Sequence, residues 1–481
     1  MSLHKTQVLR TSRTYEHGAT RLLDGAWSQF SQYLPYVTRG AVSRIAKDNV
    51  FRALSQISHG RLEVIVSDER FTFGETSSSG AAPRARLVVK DDAFWARLAL
   101  FTDLGLAEGY MIGEVDCEDI TSLIEVIIAN RRNFDGLNTL TSSLLSIGRR
   151  LTAYKFLGDL ATSPANISAH YDLGNTLFEA FLSDDMNYSS AIFEDYEEDV
   201  NADAAKRLLE TLESAQMRKM RNIIRQLRIQ PGNRVLEIGT GWGALAILMA
   251  QTVDCTIDTI TLSTEQAELA TRRVADAGLA DRVKVHYMDF RECRNKPDWA
   301  GAFDKFFSIE MIDNLSKDFI AEFWSVVDWA LKPRTAIGVV QVISMPEARI
   351  PAYDKARADF IQKWVSATQS MTSLWLYTHL TIDGTQGRLT VDSVHNIGPH
   401  YARTLREWKR KFLSNWPGLI AKELAVQYEL DDAELEIFKR KWIYYFDYCE
   451  AGFATRSLGD HVITFTREGY ADFGCDFDSH F

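Results

Sequence analysis

The stretch "VLEIGTGWGALAILMA", Val235 to Ala250, constrains this chain more than any other. It reads as a buried β-strand that ends at an acidic residue, turns through glycines at alternate positions and restarts as an apolar helix. Gly239, Gly241 and Gly243 let the backbone approach a ligand closely, and the helix N-terminus behind them offers unpaired N–H groups. No Gly-Lys-Ser/Thr ending follows, so the grip that a triphosphate loop has on phosphate and magnesium is missing. Only Trp242 separates the second and third glycines, where a Gly-x-Gly-x-x-Gly dinucleotide turn has two residues. With Glu237 two residues ahead of the first glycine, the turn suits S-adenosylmethionine (SAM): its amino acid end would meet the glycines and its ribose hydroxyls need a carboxylate. A plain glycine-rich connector is the alternative.

From Ile167 onward, strand patterns alternate with helical ones. "RVLEIGT", "IDTITLS", "VKVHYMD", "FDKFFSIE" and "TAIGVVQVI" are separated by runs such as "EQAELATRRVADAG". This alternation predicts an α/β fold with a parallel, doubly wound sheet, whose ligand lies beyond the carboxyl ends of the strands. Those ends carry Glu237 and the glycines, then Thr261, Leu262, Ser263 and Gln266, then Asp289, Phe290 and Arg291, then Glu310, Asp313 and Asn314, and last Gln341 and Ile343. Ahead of this block, "RLEVIV", "RFTFGE", "ARLVVK" and the helical "SLIEVIIANRR" predict a smaller N-terminal α+β domain over 58–136. Residues 1–57 read as an N-terminal helical segment, 137–165 as a linker helix broken late by Pro164, and 166–481 as the ligand-binding domain.

Charge and composition narrow the partners. The net charge of -11 argues against nucleic acid, which favours a basic surface. Five scattered cysteines show no close pair at metal-ligand spacing, so neither a disulfide framework nor a metal site is expected, and a reducing, cytoplasmic setting fits. No stretch approaches the apolar length of a membrane span, and the N-terminus lacks the apolar core of a secretory signal. Residues 20–57 mix Trp27, Phe30, Tyr33 and Tyr36 with Arg21, Arg39, Arg44 and Lys47. Such a basic amphipathic segment either lies peripherally on a membrane or packs on the protein itself.

Several stretches, in this order, resemble the cyclopropane-fatty-acyl-phospholipid synthases and mycolic acid cyclopropane synthases: "SAHYDLGNTLFEAFLSDDMNYSSAIF", "RVLEIGTGWGALA", "ITLSTEQ", "DRVKVHYMDFRE", "FDKFFSIEMIDNL", "PHYARTLREWKRKF" and "RKWIYYFDYCEAGFATR". The segment "GRLEVIV…FTFGE…FWARLALFTDLGLAEGYMIGEVD" is similar to the N-terminal domain of the longer synthases. The resemblance implies a mostly parallel, seven-stranded, Rossmann-like methyltransferase sheet and a SAM-dependent methyl transfer to the double bond of an unsaturated acyl chain, with a phospholipid as acceptor. It implies that Tyr188, Ser189, Gly239, Gly241, Trp242 and Gly243 meet the amino acid end of SAM. Thr261, Leu262 and Gln266 would frame the ribose, and Phe290 and Arg291 the adenine. His170 opens a motif that the family uses near its cofactor.

In this family a bicarbonate ion acts as base, held by a Cys, a Glu, a His, a Tyr and a backbone group near an Ile. Here the matching positions are Ser190, Asp313, Gln341, Tyr401 and Ile343, so three of the five differ. Ser and Gln can still donate hydrogen bonds to an anion, and Asp313 is a carboxylate of shorter reach. Asp313 could instead be the base itself, with no anion. Cys449 matches a family cysteine that has been called an active-site residue, or is an inert buried thiol. Two other functions stay open: a related carbon methyltransferase for a polyketide or another small unsaturated metabolite, and a SAM-binding protein without turnover. A homodimer is compatible with either.

Overall fold

A computed structural model describes residues 39–74, 82–134, 174–200, 209–355, 360–365 and 371–473. The segment up to residue 38, the linker helix expected over 137–165 and His170 lie outside the described residues. The chain divides into two compact units. Described residues within 39–134, 360–365 and 416–455 form the first, and those within 174–355, 371–415 and 456–473 the second.

In the first unit, β1 (Arg61–Val66), β2 (Glu69–Gly74), β3 (Arg84–Val89) and β4 (Val115–Cys117) form a sheet in the order β2-β1-β3-β4. β1 pairs antiparallel with β2 and parallel with β3. The period-two alternation of side chains turns Leu62 and Val64 of β1, and Ala85, Leu87 and Val89 of β3, into one core with Phe94, Trp95 and Leu123 from the helices. Phe360, Ile361, Tyr444 and Ala451 join that same core. The sequence reading runs 166–481 together as one domain, whereas the apolar residues of these two later segments pack into the first unit.

The second unit is built on β5 (Arg234–Ile238), β6 (Thr256–Thr261), β7 (Val283–Tyr287), β8 (Lys305–Ile309), β9 (Ile337–Ser344), β10 (Leu389–Asn396) and β11 (Gly459–Arg467). Their order is β10-β11-β9-β8-β5-β6-β7. Strands β5 to β9 pair in parallel, and β11 runs antiparallel to both β9 and β10. This is the expected doubly wound, mostly parallel seven-stranded sheet. Alternation explains the two wound faces: Leu236, Ile238, Phe306, Val340 and Val342 enter one core, while Val235, Phe307 and Val339 enter the other. The strand order reverses between β5 and β8, which makes their carboxyl ends the switch point at which such sheets bind ligands. Among the described residues no helix is long and apolar enough to cross a membrane.

Candidate active site

At the carboxyl end of β5 the glycine turn has the backbone its composition calls for. Gly239, Gly241 and Gly243 have φ of 102°, 51° and 85°, a region that residues with a Cβ avoid. The Gly239 and Thr240 N–H groups donate to the Ile260 carbonyl at 3.0 and 3.1 Å, which ties the turn to β6 before the helix Ala244–Thr252 begins. A Cβ on Gly241 would find nothing within 4 Å, so the turn opens as a cradle at that residue. A Cβ on Gly239 would lie 3.1 Å from the Met311 side chain, so the turn abuts the residue after Glu310. Glu237 is buried and hydrogen-bonds Thr259, yet its Oε2 has no partner, and burial pushes the carboxyl up to about 8. An open cradle beside an orphaned buried oxygen fits a polar ligand such as the amino acid end of SAM.

The other expected cofactor residues gather at neighbouring strand ends. The Thr261 hydroxyl donates to Gln266 Oε1 at 2.9 Å, and Ser263 caps the helix Thr264–Asp276 behind Leu262. Asp289 grips Arg291 with bonds of 2.9 and 2.7 Å, and Phe290 packs edge-on against Phe323. Trp242 packs on Phe178, 5.3 Å between ring centroids, and donates to Asn175 Oδ1 at 2.9 Å. Arg273 donates to the carbonyls of both Asp185 and Trp242, which stitches the segment before Tyr188 to the glycine turn. Tyr188 lies between Phe178 and Trp408 at 5.3 and 5.2 Å, and Trp408 also meets Tyr401 at 5.9 Å. Ser189 is held by buried Lys219, whose Nζ donates to the Ser189 hydroxyl at 2.7 Å.

Beside this aromatic wall lies a cluster of acids. Glu310 follows β8, Gln341 lies in β9 and Asp460 opens antiparallel β11, so three adjacent strands deliver them to the same end of the sheet. The Glu310 Oε1 accepts from the Ser190 N–H at 2.8 Å and from Gln341 Nε2 at 2.6 Å, while Oε2 accepts from the Tyr401 hydroxyl at 2.7 Å. Gln341 Nε2 also donates to Asp460 Oδ2 at 2.8 Å. The helix Gly398–Asn415 that carries Tyr401 also clamps the Ser190 segment. Its Thr404 hydroxyl accepts from Ala191 N–H at 3.1 Å, and His400 Nδ1 accepts from Phe193 N–H at 3.2 Å. Burial lowers the His400 pKa to about 4, so the ring stays neutral and keeps that acceptor.

Burial raises the pKa of Glu310, Asp313 and Asp460; the Glu310 charge raises Asp313 and Asp460 further, whereas no neighbouring acid raises Glu310. Asp460 is fully buried and held well above the usual carboxylate range, by burial first and then by the Glu310 charge, and its Oδ1 has no partner. Asp313, pushed up to about 8 by burial and then by the Glu310 charge, has no partner for its Oδ1. On Glu310 the rise from burial is opposed by its three donors and by buried Lys219, although burial lowers the Lys219 pKa in turn.

Of the residues singled out in the sequence, Ser190, Gln341 and Tyr401 converge on Glu310, and Asp313 faces it electrostatically. Ile343 pairs with Asp460 across β9 and β11. Cys449 belongs to the helix Asp432–Ala454 in the first unit, half-buried against that unit's core. The sequence marked Glu310 only as one strand-end residue among many. It passed over Asp460 and Lys219, because β11 was not among the recognised strands and Lys219 sits in a helix whose pattern reads as ordinary amphipathic packing.

Comparison with known proteins bears on this site. The family described as mycolic acid cyclopropane synthetase matches residues 159–462. The tuberculostearic acid methyltransferase UfaA1 of Mycobacterium tuberculosis (strain ATCC 25618 / H37Rv) is 31% identical over 408 residues, 83% of this chain and 88% of that one. The cyclopropane-fatty-acyl-phospholipid synthase of Escherichia coli (strain K12) is 27% identical over 404 residues, 84% of this chain and 93% of the relative. The crystal structure of the mycolic acid cyclopropane synthase CmaA1 complexed with SAH and CTAB shares the fold, with a TM-score of 0.51 at 23% identity over 63% of this chain and 98% of that one.

Proposed function

The chain belongs to the mycolic acid cyclopropane synthetase family of SAM-dependent methyltransferases, and from that premise we propose that it methylates the double bond of an unsaturated acyl chain, carried by a phospholipid. The observation that carries the reading is adjacency: the glycine cradle of β5 abuts Met311, one residue from the acid cluster, and the rings of Tyr188, Trp408 and Tyr401 line up beside it. When bound, SAM supplies an electrophilic methyl group.

The remaining work falls to the chain's own residues. An alkene is a weak nucleophile, so the acceptor must be held in line and dry. Aromatic faces suit that task, because they exclude water and also stabilise the positive charge that methylation leaves on the acyl chain. In this reading Tyr188, Ser189, Glu237, Gly239, Gly241, Trp242 and Gly243, with Thr261, Leu262, Gln266, Phe290 and Arg291, hold the cofactor. Ser190, Asp313, Gln341, Ile343 and Tyr401 shape the acceptor end. No step uses Cys449.

Mass spectrometry of lipids from cells making this protein, against cells making Gly241→Val, tests the proposal. A gain of one CH2 on unsaturated acyl chains, present only with the intact protein, is expected. No gain on any lipid would overturn the acyl acceptor and favour a small unsaturated metabolite.

A further inference from the structure

Three of the five residues that match this family's bicarbonate holders converge on the Glu310 carboxylate: the Ser190 N–H at 2.8 Å, Gln341 Nε2 at 2.6 Å and the Tyr401 hydroxyl at 2.7 Å. The Ser190 hydroxyl is also committed, since it donates to the Ala191 carbonyl at 3.1 Å. A free anion would have to compete for these donors while sitting against Glu310 itself, and like charges that close in a buried site are strongly disfavoured. The site therefore does not fit bicarbonate.

Glu310 reaches this place through an uncommon backbone. Its φ of 48° lies in the left-handed region, which residues with a Cβ rarely adopt. Two bonds hold it there: its N–H donates to the Gln341 carbonyl at 2.8 Å, and Asn314 Nδ2 donates to its carbonyl at 3.2 Å. Strain of this sort persists where the surroundings enforce it and clusters at functional sites.

We propose that Glu310 is the catalytic base of this enzyme, a covalently attached carboxylate that does the work of the family's bicarbonate. The inference rests on the proposed methylation of an alkene. In that reaction the alkene π pair forms a bond to the methyl carbon as the carbon–sulfur bond breaks and its pair stays on sulfur, leaving a cation on the acyl chain. A C–H bond of the new methyl group then breaks and its pair neutralises that cation as a new carbon–carbon bond, while the proton goes to a Glu310 carboxylate oxygen. Asp313 is less suited to this task. Its Oδ1 has no donor, and burial beside Glu310 keeps its own proton in place near neutral pH.

The test uses the full-length protein, Glu310→Gln and Glu310→Gly in carboxylate-free buffer, with SAM and vesicles of monounsaturated phosphatidylcholine. The glutamine keeps the size but cannot take the proton, and the glycine is at ease at φ of 48°. Wild-type turnover should not respond to removal of bicarbonate. Glu310→Gln should lose about a hundredfold or more, the range of general-base contributions, with SAM affinity kept. Glu310→Gly should be as poor until bicarbonate is added and then recover. Titration of 13C-bicarbonate followed by NMR needs no acceptor. Saturable binding should appear in Glu310→Gly and be absent in wild type. Bicarbonate binding to wild type, or its absence from a Glu310→Gly protein that still binds SAM, would overturn the proposal. No product from wild type under any condition would refute the lipid acceptor alone, and the titration would still decide the role of Glu310.

Discussion

Replacing Gly241 with alanine should separate cofactor binding from folding. The residue has φ of 51°, so the alanine must adopt a left-handed backbone at a cost of about 1–2 kcal/mol. No protein atom lies within 4 Å of the new Cβ, so no overpacking adds to that cost. The ligand-free protein should therefore melt only a few degrees lower, at roughly 2–4 °C per kcal/mol for a domain of this size class. The same Cβ would protrude into the cradle. If the backbone there approaches the charged end of SAM, displacing it forfeits one hydrogen bond to a charged group, about 1.5–3 kcal/mol, or roughly a ten- to hundredfold loss of affinity. Gly239→Ala is the contrast. Its φ of 102° and the Met311 side chain 3.1 Å from the new Cβ make it a defect of the fold itself. Calorimetric titration with SAM and thermal melts of both variants give the two quantities. Undiminished SAM affinity in Gly241→Ala would refute the placement of the cofactor at this turn.

Other perturbations probe neighbouring links. Trp408→Ala removes a fully buried ring that touches Phe181, Tyr188 and Tyr401, and should cost about 3–5 kcal/mol in denaturant unfolding. Burial pushes the Glu237 pKa up to about 8, so the native state holds a proton that the unfolded chain releases, and stability should fall as pH rises from the ordinary glutamate range, about 4.5, to about 8. Glu237→Gln should flatten that part of the stability profile, and an unchanged slope would count against a protonated Glu237. Asp313→Asn mimics the protonated acid and should keep turnover within about tenfold of wild type, below the usual range for loss of a general base. A loss equal to that of Glu310→Gln would move the base to Asp313.

The parallel strands and the glycine turn were legible because β5, β8 and β9 are short, mainly apolar runs followed by or ending at Gly239, Glu310 and Ser344. β10 alternates more covered positions with exposed ones at Thr390, Asp392, Val394 and Asn396, and β11 carries Asp460, His461 and Arg467 among its apolar residues, so neither shows a continuous apolar run. The assignment of segments to units was equally hidden, since residues such as Phe360 and Tyr444 join their core only through tertiary packing. Glu310 shows the limit most clearly. Its type and strand-end position were visible, but its role depends on a left-handed φ and on donors 120 residues before it and 91 after it. No local pattern encodes that convergence.

The most direct test of the central claim follows the transferred group itself. Purified protein is given SAM carrying a trideuteromethyl group and vesicles of monounsaturated phospholipid, and the acyl chains are analysed by mass spectrometry. The account expects label on the acyl carbon chain with one deuterium lost, because Glu310 removes a proton from the methyl group after transfer. Label retained in full on carbon, or found on oxygen or nitrogen, would contradict it.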